Sequence, residues 1–409
     1  MAYTAEHCAR ARKDFPALQR ASGGSELAFL DGPGGSQVPR CVIEAIEDFY
    51  ASCNVNTQGN FPPSREVDRR IQVARETLAV FLGAAGPQCI SFGQNMTTLS
   101  FSLSTAIGRT LKSGDEVLIT QLDHEANRSP WLRLADRGVL VREVLMTPSG
   151  QLDAADMAAK ISDRTKVFAL GASSNALGTV NDLALARRLT RNVGALLVID
   201  AVHYAPHFPV DVQALDPDFL LCSVYKFYGP HVGVLYSRPG ALDELPTDRL
   251  STQDPKAPYR IETGTLNHAA IDGARAAVEY IAGWGTGTSL RARIVDAMSA
   301  ISAYEHELAR SYFEAVRRLP GVRVWGPDFA KAATRAPTVS ITLDKVTAPQ
   351  AAAALGAQGI CVWDGNFYAA RAVELLGLEQ RGGLLRTGFS MYNTHAESQR
   401  LLTAIAEIV

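Results

Sequence analysis

Apolar runs alternate with stretches of helical periodicity along residues 31–285. Short apolar runs bounded by turn residues are typical of buried strands, and strands that alternate with helices favour a parallel or mixed α/β sheet. The predicted strands are 116–120, 139–144, 167–170, 196–199, 219–223 and 232–236, the last two forming a hairpin. The predicted helices are 66–82, 98–111, 154–161 and 183–191. This pattern predicts a large α/β domain.

The pattern changes after the glycine-rich segment 283–288. A long helix is predicted over 289–319, because Ile294, Ala297, Ile301, Tyr304 and Leu308 fall on one apolar stripe. The elements predicted after it are strands 338–343, 360–363 and 385–389 and a helix over 397–408. We therefore expect a large domain over 31–285 and a smaller α+β domain over 286–409. Residues 1–30 are expected to form a segment that packs on the smaller domain.

Length and composition narrow the class of protein. A chain of 409 residues is long enough for two domains, and 47% hydrophobic with 20% charged residues is typical of a globular enzyme. The net charge of -2 offers no basic patch for nucleic acid, and no apolar run approaches the length of a membrane span. We expect neither as a partner.

The N-terminal residues bear on the cellular location of the protein, and the cysteines bear on metal binding. The N-terminal residues mix charged and small side chains without the apolar core of a signal peptide. The six cysteines are scattered and have no histidine at metal-ligand spacing. These features predict a cytoplasmic protein with reduced thiols and no metal site.

A lysine and an aspartate follow two of the predicted strands. Asp200 ends the apolar run 196–199, and Lys226 comes shortly after strand 219–223. A lysine amine condenses with aldehydes, and a fixed carboxylate can keep a heteroaromatic nitrogen protonated. Pyridoxal 5'-phosphate (PLP) needs both groups. Alone, each residue is more simply a strand-end lysine or a turn residue; together, with the segments below, they favour the cofactor.

Three more polar residues follow strands and are expected in the same crevice. His124 follows strand 116–120 and could stack on a planar ring and move protons. Asn175 follows strand 167–170 and could donate to a ring oxygen, although Asn is also a common turn residue. His203 lies close after Asp200. This convergence is harder to attribute to turn chemistry than any one residue.

A phosphate site is predicted at the start of helix 98–111. The loop 93–98 brings hydroxyl side chains to a helix N-terminus, where free amides and the helix dipole favour an anion. An ordinary threonine N-cap explains the same residues equally well. The chain has no Walker A sequence, and its glycine-rich segment 283–287 does not lie between a strand and a helix as a dinucleotide fingerprint does. A nicotinamide enzyme is therefore disfavoured.

The block from Asp200 to Lys226-Phe-Tyr-Gly-Pro and the R-x-x-x-S-x-Y-N-T stretch over 386–394 carry a resemblance. From about residue 29 to 394, the chain resembles the class V aminotransferase group of fold-type I PLP enzymes, which includes cysteine desulfurases and isopenicillin-N-epimerase-like proteins. The resemblance implies a large domain with a mostly parallel seven-stranded sheet, a smaller α+β C-terminal domain, PLP as cofactor and a homodimer with shared active sites.

The resemblance also implies individual roles. Lys226 would form the Schiff base, Asp200 would pair with the ring nitrogen and His124 would stack on the ring. Arg386 would bind the substrate carboxylate, a bidentate task suited to guanidinium. The other residues implied to contact cofactor are Asn175 and His203 near the ring oxygen, Met96, Thr97 and Ser223 at the phosphate, Tyr225 as a hydrogen-bond donor, and Thr265 at the phosphate of the other subunit.

The chain departs from the desulfurases at one position. Those enzymes use a mobile cysteine, but the corresponding loop 365–369 places Tyr368 near that position. Cys361 lies on the preceding predicted strand, where a structural thiol is more probable than a nucleophile. Trp363, Asn366 and Tyr368 are then expected to shape a side-chain pocket for the substrate.

The expected reaction follows from these residues. We expect an amino-acid substrate and a C–S lyase that eliminates the β-substituent of a cysteine S-conjugate, with Lys226 as the base for the Cα proton and His124 also catalytic. Decarboxylating or oxidative deamination, desulfuration, transamination and epimerisation remain open. A non-catalytic PLP-binding module is a different class of function, disfavoured because no DNA-binding segment is attached.

Overall fold

The computed structural model describes residues 2–22, 24–330 and 334–409. The strands are β1 Ala21–Ser22, β2 Ser25–Glu26, β3 Ala28–Phe29, β4 Ile90–Gly93, β5 Glu116–Thr120, β6 Leu140–Val144, β7 Thr165–Gly171, β8 Leu196–Asp200, β9 Phe219–Ser223, β10 Gly233–Ser237, β11 Val322–Trp325, β12 Thr338–Leu343, β13 Ile360–Cys361, β14 Trp363–Gly365 and β15 Leu384–Gly388. The α-helices are α1 Ala5–Ala11, α2 Arg40–Ser52, α3 Pro62–Leu82, α4 Met96–Gly108, α5 Ser129–Leu132, α6 Ala154–Lys160, α7 Leu183–Val193, α8 Val212–Leu215, α9 His268–Ala282, α10 Leu290–Val316, α11 Ala348–Ala357, α12 Ala370–Leu375 and α13 His395–Ile408.

Seven strands of the described chain form one large sheet in the order β4-β10-β9-β8-β7-β5-β6. The ladders from β9 through β8, β7 and β5 to β6 are parallel, whereas β10 pairs antiparallel with both β9 and β4. Strands β5 and β9 are buried along their whole length, as expected for strands covered by helices on both faces. The predicted mostly parallel seven-stranded sheet and the β9–β10 hairpin are confirmed. Strand β4 was not predicted.

A second sheet is antiparallel throughout and has the order β11-β12-β15-β14. The single strand predicted over 360–363 is wrong. Residues 360–361 form β13, which pairs in parallel with β3 near the N-terminus, and residues 363–365 form β14 in the four-stranded sheet. Strand β11 and helices α2, α9 and α11 were not predicted. The backbone therefore changes sheets at Val362, which links the N-terminal segment to this region.

Helix α10 packs against α9, α3 and α13 and against strands β11 and β12 of the second sheet. It begins at Leu290 because the Ser289 side chain accepts the N–H of Ala292 at 3.1 Å. Its stripe of apolar side chains, from Ile294 to Leu308, is buried in the main core together with α9. The predicted amphipathic helix over 289–319 corresponds to α10 with slightly shorter ends.

The N-terminal segment contacts helix α13 and the residues before it. The Tyr3 hydroxyl donates to the Met391 carbonyl at 3.1 Å, and Arg12 pairs with Glu397 at 2.9 Å. The division at residues 30 and 285 stays a prediction. Among the helices of the described chain, none combines the length and the apolarity that a membrane crossing requires.

A buried ion pair fixes the segment that precedes α9. Arg75 on α3 donates to both carboxylate oxygens of Glu262, at 2.6 and 3.1 Å, and Glu262 also accepts the N–H of Phe92 at 2.7 Å. The exposed fractions of the two side chains are 2% and 6%. Arg75→Ala leaves a buried carboxylate without its cation, so we expect a loss of about 3–5 kcal/mol in the free energy of unfolding.

Urea unfolding followed by circular dichroism measures this loss. Arg69→Ala is the matched control, because Arg69 pairs with Glu66 on the same helix but is 63% exposed. It should cost less than about 1 kcal/mol. Equal losses in the two variants would contradict a special contribution of the buried pair.

Candidate active site

A cleft of about 630 Å³ opens where the parallel strands of the large sheet end. All of the predicted site residues line it except Thr265 and Asn366. Ligands in open α/β folds bind at the carboxyl ends of the strands. The described part of the chain thus brings side chains from β5, β7, β8 and β9 to one cavity.

Lys226 lies in a turn of 3₁₀ helix directly after β9. Its Nζ donates to the Pro33 carbonyl and lies 4.9 Å from the centroid of the Tyr225 ring. Burial first, and then the Arg386 cation, lower the pKa of Lys226 to about 7 against the opposing effect of the Asp31 and Asp200 carboxylates. Near neutral pH the amine is therefore partly unprotonated, the form that is nucleophilic and basic.

Asp200 is the last residue of β8, and its Oδ1 accepts the N–H of Val202 at 2.9 Å. Burial first, together with the neighbouring Asp123, raises the pKa of this carboxyl to about 7, against the lowering effect of the Val202 N–H and the Lys226 cation. A cation placed beside Asp200 would favour its charged form.

His124 follows β5 and presents a flat, buried ring. Its Nδ1 accepts the N–H of Ala126 at 3.0 Å, so the neutral ring carries its proton on Nε2. Burial lowers the pKa of His124 to about 4, and the Lys226 and Arg386 cations act in the same direction. The ring stacks on Tyr368 with centroids 5.5 Å apart. A neutral ring at physiological pH suits stacking more than acid catalysis.

His203 is held from one side only. Its Nε2 lies 3.0 Å from the Thr338 hydroxyl, whereas its buried Nδ1 has no hydrogen-bond partner among the described residues. The ring meets His207 edge-on with centroids 5.2 Å apart, and His207 Nδ1 lies within hydrogen-bond distance of the buried Glu305 carboxyl group, at 2.7 Å. A buried polar atom without a protein partner can receive a hydrogen bond from, or donate one to, a bound ligand or water. Sequence reasoning missed His207 and Glu305.

The predicted phosphate loop joins α4 to the end of β9. Asn95 caps α4 by accepting the N–H of Thr98 at 3.0 Å, and the N–H of Met96 donates to the Ser223 hydroxyl at 3.1 Å. Gly233 on β10 permits this close approach, because a Cβ there would lie 2.4 Å from the Asn95 carbonyl carbon. Thr97 is exposed on the first turn of the helix. The arrangement presents a helix N-terminus and hydroxyls to the cleft.

Arg386 on β15 is almost fully buried in the cleft wall. Its Nη2 donates to Asp31 at 2.9 Å and its Nη1 to the Asn175 carbonyl at 3.1 Å, while Nε has no partner in the described chain. The guanidinium carbon lies 4.3 Å from the centroid of the Phe367 ring. The Asn175 amide donates to the Phe367 carbonyl at 2.8 Å. Asn175 thus anchors loop 365–369, and its predicted contact to a ring oxygen stays a prediction.

Loop 365–369 is held against the large sheet. Phe367 and Tyr368 both adopt left-handed backbone conformations, with φ of 54° and 58°, which non-glycine residues rarely adopt. The N–H of Glu125 donates to the Tyr368 carbonyl at 2.6 Å, and Asn366 Oδ1 accepts the N–H of Tyr368 at 3.0 Å. Asn366 therefore shapes the loop without lining the cleft, and Phe367, which was not predicted, lines it instead.

Three further predicted residues have clear positions. The Tyr225 ring stacks on His231 with centroids 4.6 Å apart. Thr265 is exposed between a 3₁₀ turn and α9, away from the cleft of its own chain. Trp363 is 56% exposed at the rim of the cleft. The role of Thr265 in a partner's site stays a prediction.

The cysteines do not reach the cleft. All six lie in the described chain, and none of them lines the cavity. Cys361 is half-buried on β13, where burial raises the pKa of its thiol. A raised pKa disfavours the thiolate, which is the nucleophilic form.

The sheet and the cleft define the fold-type I class, and comparisons with known proteins agree. The chain belongs to the class V aminotransferase family, whose model matches residues 28–401. The cysteine desulfurase of Serratia proteamaculans (strain 568) is 31% identical over 415 aligned positions, which cover 98% of this chain and 97% of that protein. Among solved structures, the apo cysteine desulfurase of Thermococcus onnurineus NA1 has a TM-score of 0.88 at 27% identity, covering 98% of each chain. The cysteine desulfurase CsdA of Escherichia coli has a TM-score of 0.83 at 27% identity, again covering 98% of each chain.

Family membership confirms the predicted cofactor, pyridoxal 5'-phosphate, and a desulfurase-like enzyme. The residues present fit this group. The buried lysine and carboxylate suit its aldehyde and ring nitrogen, the unpartnered His203 Nδ1 suits its ring oxygen, and the N-terminus of α4 suits its phosphate.

The pKa of Lys226 leads to a prediction about the cofactor-free protein. An amine with a pKa of about 7 becomes neutral above that pH, whereas an ordinary lysine does so only near 10.5. Acetylation by acetic anhydride, which needs the neutral amine, should therefore rise through pH 7 at Lys226. Peptide mass spectrometry measures it, with the exposed Lys345 as the internal reference. In Arg386→Met the midpoint should move to higher pH; an ordinary midpoint in the unaltered protein would contradict the burial effect.

Proposed function

We propose that the protein is a PLP-dependent C–S lyase that eliminates the sulfur substituent of a cysteine S-conjugate. One observation carries the proposal: the cleft places Lys226 and Arg386 beside an aromatic rim and, in the described chain, contains no cysteine. Bound PLP supplies an electron sink for the bond at Cα of an amino acid attached through its amino group.

Arg386 and Lys226 act on different parts of the substrate. Arg386 receives the carboxylate, because its guanidinium matches a carboxylate geometrically and its Nε has no protein partner. Lys226, whose amine is neutral in part at pH 7, removes the Cα proton and then holds it at Nζ. Asp200 would hold the protonated ring nitrogen of bound PLP, and the neutral ring of His124 would stack on the cofactor ring.

The rim of the cleft suits an apolar sulfur substituent. Trp363, Tyr368 and Phe101 are 56%, 71% and 41% exposed and border the opening. Large aromatic side chains left exposed around a cavity are typical of a binding surface. These side chains can cover the departing thiol of a conjugate, a task that free cysteine would not require.

Persulfide chemistry is the second candidate, because the relatives named above are cysteine desulfurases. It would need Cys361 to become a thiolate and reach the cleft, but its thiol is half-buried on β13 with a raised pKa. Elimination needs no protein thiol and is therefore favoured. A homodimer in which Thr265 reaches the neighbouring subunit's phosphate is part of the proposal.

The role of Lys226 is tested with S-aryl and S-alkyl cysteine conjugates. Lys226→Ala should lower kcat by at least about 10²–10⁴-fold, the usual contribution of a general base. Thiol, pyruvate, carbon dioxide and peroxide are measured together, and we expect equal thiol and pyruvate without the other two. Lys345→Ala should keep full activity. Carbon dioxide or peroxide in proportion to turnover would assign decarboxylation or oxidation instead.

The role of Cys361 is tested separately. Cys361→Ala should change the rate of thiol release less than about twofold, because the thiol does not line the cleft. Cys8→Ala, at a buried thiol far along the chain, is the control for packing effects. A loss of tenfold or more specific to Cys361, about 1.4 kcal/mol of transition-state stabilisation, would restore the desulfurase function.

A further inference from the structure

The segment 31–36, which we call the strap, contacts both functional cations of the cleft. The Pro33 carbonyl accepts a hydrogen bond from Lys226 Nζ, and the Asp31 carboxylate accepts one from Arg386 Nη2 at 2.9 Å. Ser36 fixes the far end, because its hydroxyl donates to the Tyr225 carbonyl at 3.1 Å and accepts the N–H of Tyr228 at 2.6 Å. One short stretch of chain therefore orients the lysine and the arginine together.

Arg386 needs a resident partner. Its side chain is 3% exposed, and a guanidinium taken out of water is costly unless it is paired and hydrogen-bonded. Among the described residues Asp31 is its one anionic contact, and the Asn175 carbonyl holds the other terminal nitrogen. These two acceptors fix the orientation of the guanidinium plane before any substrate arrives.

Asp31 contacts the guanidinium of Arg386 without lining the cleft itself. Arg386 lines the cleft, but Asp31 is not among the lining residues. A ligand in the cleft thus meets the guanidinium and not the aspartate. The Asp31 backbone is itself fixed to the strand that carries Arg386, by a bridge between Asp31 and Gly388.

We propose that Asp31 is a positioning residue that holds Arg386 in the orientation that binds the substrate carboxylate. This inference rests on the proposed function only in taking Arg386 as the carboxylate-binding residue. Without Asp31, the guanidinium keeps its charge but loses the contact that fixes Nη2, and it must be ordered anew by each ligand. Affinity for the carboxylate should then fall, although one negative charge has been removed from the site.

Gly34 provides a second way to disturb the same contact. A Cβ at this position would lie 1.9 Å from Asp31 Oδ2, closer than any real contact. Gly34→Ala therefore keeps the charge of Asp31 but displaces its carboxylate from Arg386. It separates the position of the carboxylate from its charge, which Asp31→Asn cannot do.

The experiment measures binding without turnover. The probe is 3-(benzylthio)propionate, a benzylcysteine analogue without the amino group, which has a carboxylate but cannot bond to the cofactor. Isothermal titration calorimetry on the PLP-loaded protein gives its Kd. We expect Asp31→Asn and Gly34→Ala each to weaken binding at least about tenfold, with the absorbance of the bound cofactor and the thermal midpoint close to those of the unaltered protein. Asp364→Asn, on the neighbouring strand β14 and outside the cleft lining, should bind as the unaltered protein does.

The other outcomes overturn the inference. Unchanged or tighter binding in both variants would show that Arg386 does not depend on Asp31. Loss of cofactor in step with loss of the probe would show a general collapse of the cleft. No binding to the unaltered protein would remove the carboxylate-binding role from Arg386. If Asp31→Asn does not fold, Asp31→Glu, which keeps the charge but moves the carboxylate, takes its place beside Gly34→Ala, because Gly34 itself lines the cleft and its added methyl group can also meet the probe. If the probe depends on Asp31 but no conjugate releases its thiol, the proposed reaction fails and the positioning role stands.

Discussion

The carboxyl ends of the parallel strands meet at one edge of the large sheet, and the position of every catalytic group depends on that constraint. The ladder satisfies the backbone of β5, β7, β8 and β9 inside the sheet, so the loops that leave this edge are free to carry function. His124, Asn175, Asp200 and Lys226 each come from a different strand end. Because the carboxyl ends of these strands are buried, the packing of the core fixes where the four side chains begin.

Burial also sets the electrostatics of the cleft. Lys226 and Arg386 are cations in a poorly solvated site, and each lowers the proton affinity of its neighbours. Asp200 and Asp31 are the opposing carboxylates, one at the end of the sheet and one on the strap. The same desolvation that would be costly in a purely structural site here yields a lysine that is partly neutral near pH 7. The negative charges of a bound cofactor phosphate and a substrate carboxylate would offset these cations.

Continuous apolar runs made much of the fold predictable from the sequence. The strands 116–120, 219–223 and 338–343 were predicted with the bounds that the structure has. The first two contain apolar runs, and the third alternates hydroxyl with apolar side chains, the period of a strand. Strand β4 was missed because Ile90–Gly93 is short and half polar. Helix α9 was missed because much of its buried face is alanine and glycine, whose small side chains mark an apolar face only weakly in a sequence.

The site residues also include some that the sequence predicts and some that it does not. Those that directly follow a strand were predictable, because the end of an apolar run marks the edge of the sheet. Asp31, Glu305 and Phe367 were not, because their roles depend on contacts between distant parts of the chain. Arg386 and Asp31 are 355 positions apart in the sequence. Phe367 lines the cleft because its backbone is left-handed, a conformation that the sequence does not predict for a phenylalanine. Such contacts are properties of the folded chain.

Reduction by borohydride decides whether Lys226 is the residue that carries the cofactor. Borohydride reduces the bond between a lysine amine and PLP to a stable linkage that survives digestion. We expect a yellow protein that loses its visible absorbance on reduction and yields one labelled peptide, with the mass of reduced PLP on Lys226. A label on another lysine, or a colourless protein that takes up no label when PLP is supplied, would contradict it.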